Sequence, residues 1–226
     1  MANKKYAISW DETGERWFQN GVRHGVLYLM KQDGTYEDGE AWNGLRGVDE
    51  NPDGGDVTDL WADNIKYASF RNPENYGGNV KAYTYPDGWK LCDGQKTVDG
   101  VNYGGQKRQP FGLCYRTELS NDTGAEEYQI HLIWNSTVSP SSQSHATKSE
   151  NPDAEEMSWD FKSTPVNVEG VDGVETASYA TIDSRDHSEA EMEKLLAYLY
   201  GTPASGGQEA VPARLPAPGE IATIMA

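Results

Sequence analysis

Residues 111–118 alternate strictly, with Phe111, Leu113, Tyr115 and Thr117 on one face and Cys114, Arg116 and Glu118 on the other. Residues 128–134 do the same, setting Tyr128, Ile130, Leu132 and Trp134 against Gln129, His131 and Ile133. A period of two is the strand period. Between the two runs stands Asn121-Asp122-Thr123-Gly124, four turn-forming residues. This pattern predicts an antiparallel β-hairpin with its tip at 121–124, and it commits the chain to sheet structure.

Other segments extend the strand set. Residues 24–30 are a short apolar run, too short for a helix, ended by the turn signal Asp33-Gly34. Residues 41–48 read as a broken strand. Val80, Ala82 and Thr84 alternate with Lys81, Tyr83 and Tyr85 before Pro86-Asp87-Gly88. Met157, Trp159 and Phe161 alternate with Ser158, Asp160 and Lys162, and 177–183 close the set. The stretches 57–79 and 92–110 show no clean period and read as long excursions, the first holding a short helical turn. Residues 1–23 read as an extended arm and 135–154 as a Ser/Thr/Pro-rich loop.

One helix is legible. Ser188 with Glu191 three residues on is a capping box. Met192, Leu195, Leu196 and Leu199 then recur at helical spacing, and Gly201 supplies the stop. This predicts a helix over 188–200 whose apolar stripe covers an open sheet face. Pro203, Pro212, Pro216 and Pro218 make 202–226 read as an extended tail. The whole chain of 226 residues is read as one domain.

The formal net charge is −17, which disfavours an electropositive nucleic-acid surface. The charge is uneven: 150–200 hold thirteen Asp/Glu against three Lys/Arg, whereas 66–116 hold eight Lys/Arg against four Asp/Glu. Seven Trp and thirteen Tyr offset a modest apolar content, because each buries a large area. Cys92 and Cys114 are no disulfide framework; buried free thiols are expected, and one bridge stays open if their strands lie adjacent. No apolar h-region precedes Asp11 and no apolar run exceeds six residues, so a cytoplasmic product without a membrane span is expected.

Catalytic signatures are sparse. His24, His131, His145 and His187 show no metal-ligand spacing. The sequence contains no nucleophile elbow, Walker loop or dinucleotide fingerprint. Residues 49–54 match the first half of an EF-hand loop, but its twelfth position is Leu60 and Pro52 interrupts it, so they read as an acidic turn. No catalytic, cofactor-binding or metal residues are assigned, and an enzyme is not expected.

The ordered series 25–28 (Gly-Val-Leu-Tyr), 41–45 (Ala-Trp-Asn-Gly-Leu), 62–67 (Ala-Asp-Asn-Ile-Lys-Tyr), 82–87 (Ala-Tyr-Thr-Tyr-Pro-Asp) and 111–116 (Phe-Gly-Leu-Cys-Tyr-Arg) resembles the major tail tube proteins of siphophages, especially those of Gram-positive hosts. The segments 163–166 (Ser-Thr-Pro-Val), 180–184 (Ala-Thr-Ile-Asp-Ser) and 213–216 (Ala-Arg-Leu-Pro) continue it. The resemblance implies a mainly β fold of two packed antiparallel sheets with one C-terminal amphipathic helix and long loops. It implies a structural subunit of hexameric rings stacked into a hollow tube, with strands of six subunits closing one barrel. It further implies a tape-measure protein in the lumen, terminator and distal tail proteins at the ends, and DNA passing without specific binding. The location implied is the virion, after assembly in the host cytoplasm.

Head-to-tail stacking needs complementary surfaces. The basic middle segment and the acidic C-terminal segment could supply them, with Lys107 and Arg108 as expected ring-stacking residues. Two other readings compete: a carbohydrate-binding β-sandwich presenting exposed aromatics, and a virion adsorption or decoration protein.

Overall fold

The structure, a computed structural model, describes residues 8–72, 74–143, 145, 147, 154–207 and 209–226. Residues 1–7 of the expected arm and 144, 146 and 148–153 of the expected loop lie outside the described residues. Of the described residues 46% are in strand and 13% in helix, so the fold is mainly β.

In chain order the first strands are β1 (Trp17–Leu29), β2 (Glu40–Trp42), β3 (Leu45–Glu50), β4 (Asp53–Gly54), β5 (Val57–Ala62), β6 (Ile65–Arg71), β7 (Glu74–Asn75) and β8 (Gly77–Ala82). After α1 (Trp89–Cys92) come β9 (Lys96–Val98), β10 (Val101–Tyr103), β11 (Phe111–Asn121), β12 (Glu126–Val138) and β13 (Met157–Ser163). Then follow β14 (Val166–Asn167), β15 (Thr176–Ala177), β16 (Tyr179–Asp183), α2 (Glu189–Tyr200) and α3 (Ile221–Met225).

The main sheet has eight strands in the order β2-β1-β11-β12-β13-β8-β3, with β16 also paired to β12. Every pairing in it is antiparallel. The expected hairpin is its centre, β11 against β12, with Cys114 opposite Leu132 and Arg116 opposite Ile130. Asn121 ties the tip: its Oδ1 accepts from the amides of Thr123 and Ala125.

The sheet is rolled. Strands β2 and β13 lie four positions apart, about 19 Å in a flat sheet, yet the rings of Trp42 and Trp159 are 6.3 Å apart. The two layers expected as separate sheets are therefore two halves of one continuous sheet. The hinge is β12, which pairs with β16 over Gln129–Ile133 and with β13 over Ser136–Val138. Between the two stretches Asn135 takes φ +46°, a left-handed conformation that asparagine tolerates better than most residues.

Rolling creates two cores. The first fills the roll with Leu27, Leu29, Trp42, Val80, Trp89, Phe111, Leu113, Trp159 and Phe161, among others. The second lies on the opposite face of β1, β11 and β12, where Val26, Tyr28, Cys114, Ile130, Leu132 and Trp134 meet the helices. The central strands are thus covered on both sides, which suits their near-continuous burial. The cysteines sit in different cores, both free and buried. Burial pushes the Cys114 thiol up to about 12, so it is an inert packing group.

The expected helix is present. Ser188 Oγ accepts from the Glu191 amide at 3.4 Å, and Glu191 Oε2 accepts from the Ser188 amide at 2.7 Å. Its stripe of Met192, Leu195 and Leu199 packs on the second core, each leucine contributing about 2 kcal/mol.

Three expectations are corrected. The arm does not extend to 23: β1 begins at Trp17, pairing with Asn121. Register shifts at Asn20/Val22 and Arg23/Val26, beside the positive φ of Gly21 and His24, break the alternation that would have marked this strand. The tail is not merely extended. Leu215 and Met225 enter the second core, and α3 closes the chain against α2, where Lys194 Nζ donates to the carbonyls of Met225 and Ala226. The third correction concerns 57–79, whose described residues hold strands and no helical turn.

Candidate assembly surface

The β3–β8 pair does not stop at the edge of the body. Asn51 donates to the Gly77 carbonyl, β4 pairs with β7, and β5 pairs with β6, so 45–72 and 74–82 form one long two-stranded ribbon. Its distal part, β5 and β6, pairs with no strand of the main sheet. The turn is Asp63-Asn64, with φ +50° and +62°. Two consecutive positive φ values suit a tight hairpin turn, and Asp and Asn accept them.

The register sorts the ribbon's side chains. Thr58 faces Phe70, Leu60 faces Ala68 and Ala62 faces Ile65, all on one side. Val57 with Arg71, Asp59 with Ser69, and Trp61 with Lys66 share the other. A bulge between Leu60 and Trp61 inserts Tyr67, and this hid the period in the sequence. The polar side is stitched: Lys66 pairs with Asp59 at 2.7 Å and Ser69 donates to the same carboxylate at 2.7 Å. Those donors hold the Asp59 carboxyl below its ordinary range.

The apolar side is uncovered. Phe70 is 58% exposed, Ile65 62% and Leu60 46%, while Trp61 and Tyr67 reach 68% and 73%. Scattered exposed apolar residues are ordinary, whereas this one ribbon concentrates six large ones, Val57 at 53% being the sixth. A second ribbon, β9–β10, carries exposed Val98, Val101 and Tyr103 from within the 92–110 excursion. Ile8 and Trp10 before β1 are exposed as well.

The expected stacking residues part company. Lys107 is exposed and lines a cleft of about 880 Å³ with Lys31, Gln32 and Glu37. Arg108 turns inward, donating to Asp93 Oδ1 at 3.0 Å and reaching the Cys92 carbonyl at 3.4 Å. The basic segment is largely neutralised within the chain. Lys66, Lys81, Lys90, Arg108 and Arg116 are paired with Asp59, Asp49, Asp87, Asp93 and Glu118. Net charge along a sequence does not reveal such pairing.

The acidic turn at 49–54 is dispersed. Asp49 pairs with Lys81, Asp53 lies by Lys162, and Glu50 accepts from Tyr115. Among the described residues no three His, Cys, Asp or Glu side chains form a group that could hold a metal. His131, read as lying on a polar strand face, stacks on Tyr115 and bonds Thr117 at 2.9 Å.

No protein-family model matches the chain, and no curated protein is significantly similar to it. Among the described residues no helix is long and apolar enough to cross a membrane.

Proposed function

We propose that the chain is a structural subunit of a bacteriophage tail tube, assembling into stacked hexameric rings that conduct the genome. One observation carries this reading: the β5–β6 ribbon holds Leu60, Ile65 and Phe70 open to solvent with no sheet behind them. A lone two-stranded ribbon is marginal in water. Covering its apolar side against a second copy would stabilise both. Head-to-tail contact of this kind is heterologous and propagates into a stack.

Two further features support it. Among the described residues the terminal strand β2 pairs only with β1, leaving an edge that closure between subunits would cover. An acidic subunit would also release DNA, since each cation on phosphate adds affinity. Of the pair, Lys107 is exposed and could meet a neighbour's acidic segment, whereas Arg108 serves its own chain. The tape-measure, terminator and distal tail proteins enter the proposal only through the family resemblance.

Negative-stain electron microscopy of the concentrated protein tests the reading. Hollow tubes or six-fold rings are expected. A second reading, a carbohydrate-binding module, is favoured by the exposed rings of Trp61 and Tyr67. A monomer that never forms rings and binds glycans through those rings would replace the tube by that module; a monomer bound to the virion surface would instead indicate an adsorption or decoration protein.

A further inference from the structure

Glu50 is the last residue of β3, the terminal strand of the rolled sheet. Its carboxylate reaches across the roll to β11 and β12, four and three positions away in the sheet order. Tyr115 of β11 donates its hydroxyl to Oε1 at 2.6 Å, and His131 Nδ1 of β12 lies 3.5 Å from the same oxygen. The imidazole is fixed from two sides: Nε2 is 2.9 Å from Thr117 Oγ1, and the ring lies parallel on Tyr115 with centroids 4.5 Å apart.

These groups line a cleft of about 570 Å³ between 19–22 of β1 and 46–50 of β3. No backbone ladder crosses it: β3 pairs with β8, and β1 pairs with β2 and β11. At one end the strands are held by close apolar packing, where a Cβ on Gly25 would lie 2.8 Å from Leu45 Cδ2. At the other end the polar bridge from Glu50 spans the gap.

We propose that Glu50 is a proton-sensitive fastener of this seam, its ionised carboxylate holding the end of β3 to β11 and β12 and its protonation letting that strand part from them. The proposal does not depend on tube assembly. Hydrogen bonds to an ionised acceptor are roughly twice as strong as neutral ones, so losing the charge weakens the bridge selectively.

Among the groups around the cleft, Glu50 and His131 both face the seam and are titratable, and the Glu50→Gln variant below tells them apart. On β3, Asp49 is paired with Lys81 of β8 at 2.6 Å, and Arg46 is paired with Glu156. From β1 the cleft receives Gln19, Gly21 and Val22, none of them titratable. Tyr76, beside β8, stacks on Tyr179 at 4.3 Å, and burial, then the Glu50 carboxylate, push its hydroxyl far above the ordinary range. His131, then Tyr115, hold the Glu50 carboxyl below the usual glutamate range against a desolvation that would raise it. Its contribution is therefore complete above the usual glutamate range and is lost as pH falls through the depressed value.

Hydrogen exchange on the full chain, corrected for the intrinsic pH dependence and run at pH 7 and at a pH below the Glu50 titration read by carbon-detected NMR, tests this. The peptide covering 45–50 should lose protection about tenfold or more on acidification, while 113–119 stays protected. Glu50→Gln should show the lowered protection at both pH values. Equal protection of 45–50 at both pH values, or a Glu50→Gln protein that retains the full pH response, would overturn the proposal. Tyr115→Phe removes one donor and should move the midpoint of opening to higher pH; an unmoved midpoint would overturn it independently.

Discussion

The indole of Trp134 donates from Nε1 to the carbonyl of Pro216 at 2.8 Å, with both groups buried, so the centre of the sheet holds the C-terminal segment directly. Gly39 donates to the Ala213 carbonyl and Arg214 to that of Tyr198, fixing the same segment from two other elements. Between these anchors Leu215 enters the second core. Leu215→Ala should cost about 2–4 kcal/mol, because the site is walled by β-sheet and cannot collapse. Thermal unfolding followed by tryptophan fluorescence measures this, and a loss below 1 kcal/mol (about one third of the expected value) would show the segment to be an accessory.

Gly112 lies beneath that contact. A Cβ there would fall 2.9 Å from the Tyr36 ring and closer still to Leu215 Cδ2, with the Ile133 carbonyl at 3.2 Å. Gly112→Ala should therefore destabilise the protein although alanine is the better strand residue. The expected loss is about 1–3 kcal/mol, the range for overpacked cores. Combined with Leu215→Ala the penalties should be less than additive, since the truncation opens the space the new methyl needs. Strict additivity in chemical denaturation would refute the steric account.

Asp183 joins three elements through one carboxylate. Arg185 grips it with Nε at 2.9 Å and Nη2 at 2.6 Å, and Gln129 Nε2 donates at 2.8 Å. Chiefly through Arg185, the carboxyl is held far below the ordinary aspartate range. A depressed carboxylate stabilises the fold above its unfolded value, and that contribution disappears as pH falls through the folded one. Arg185→Ala should raise the Asp183 titration toward the ordinary range, so that acid-induced loss begins at higher pH. Carbon-detected NMR of the Asp183 carboxyl reads this directly; an unshifted titration would contradict it. Arg185 also lies over the Trp17 ring at 5.0 Å, so the variant should alter Trp17 fluorescence.

The β5–β6 ribbon separates stability from assembly. Ile65→Ser with Phe70→Ser removes apolar surface that is already exposed. The monomer should change by no more than about 0.5 kcal/mol, as surface substitutions do. Tube or ring formation should be lost. A double variant that assembles as the parent does would move the interface to β9–β10 or to the residues before β1.

Much of the local structure was legible because local rules agreed with each other. The 111–134 hairpin has an unbroken period, a turn-forming tip and aromatics on its apolar face. The 188–200 helix has a capping box, an apolar stripe and a glycine stop. Where one extra residue intrudes, that legibility fails. Tyr67 at its bulge hid β5–β6, and Gly21 and His24 hid the start of β1. A period cannot survive an inserted residue, whatever the strand beneath it.

Alternation and capping act over a few residues, so a β protein with one capped helix follows from local pattern alone. The roll of the sheet at Asn135, the burial of Leu215 and Met225, and the pairing of Arg108 with Asp93 while Lys107 faces outward arise only on folding. Each of those outcomes depends on contacts between residues far apart in the chain. Burial and pairing are properties of the neighbours a side chain acquires in space, and no local pattern encodes them.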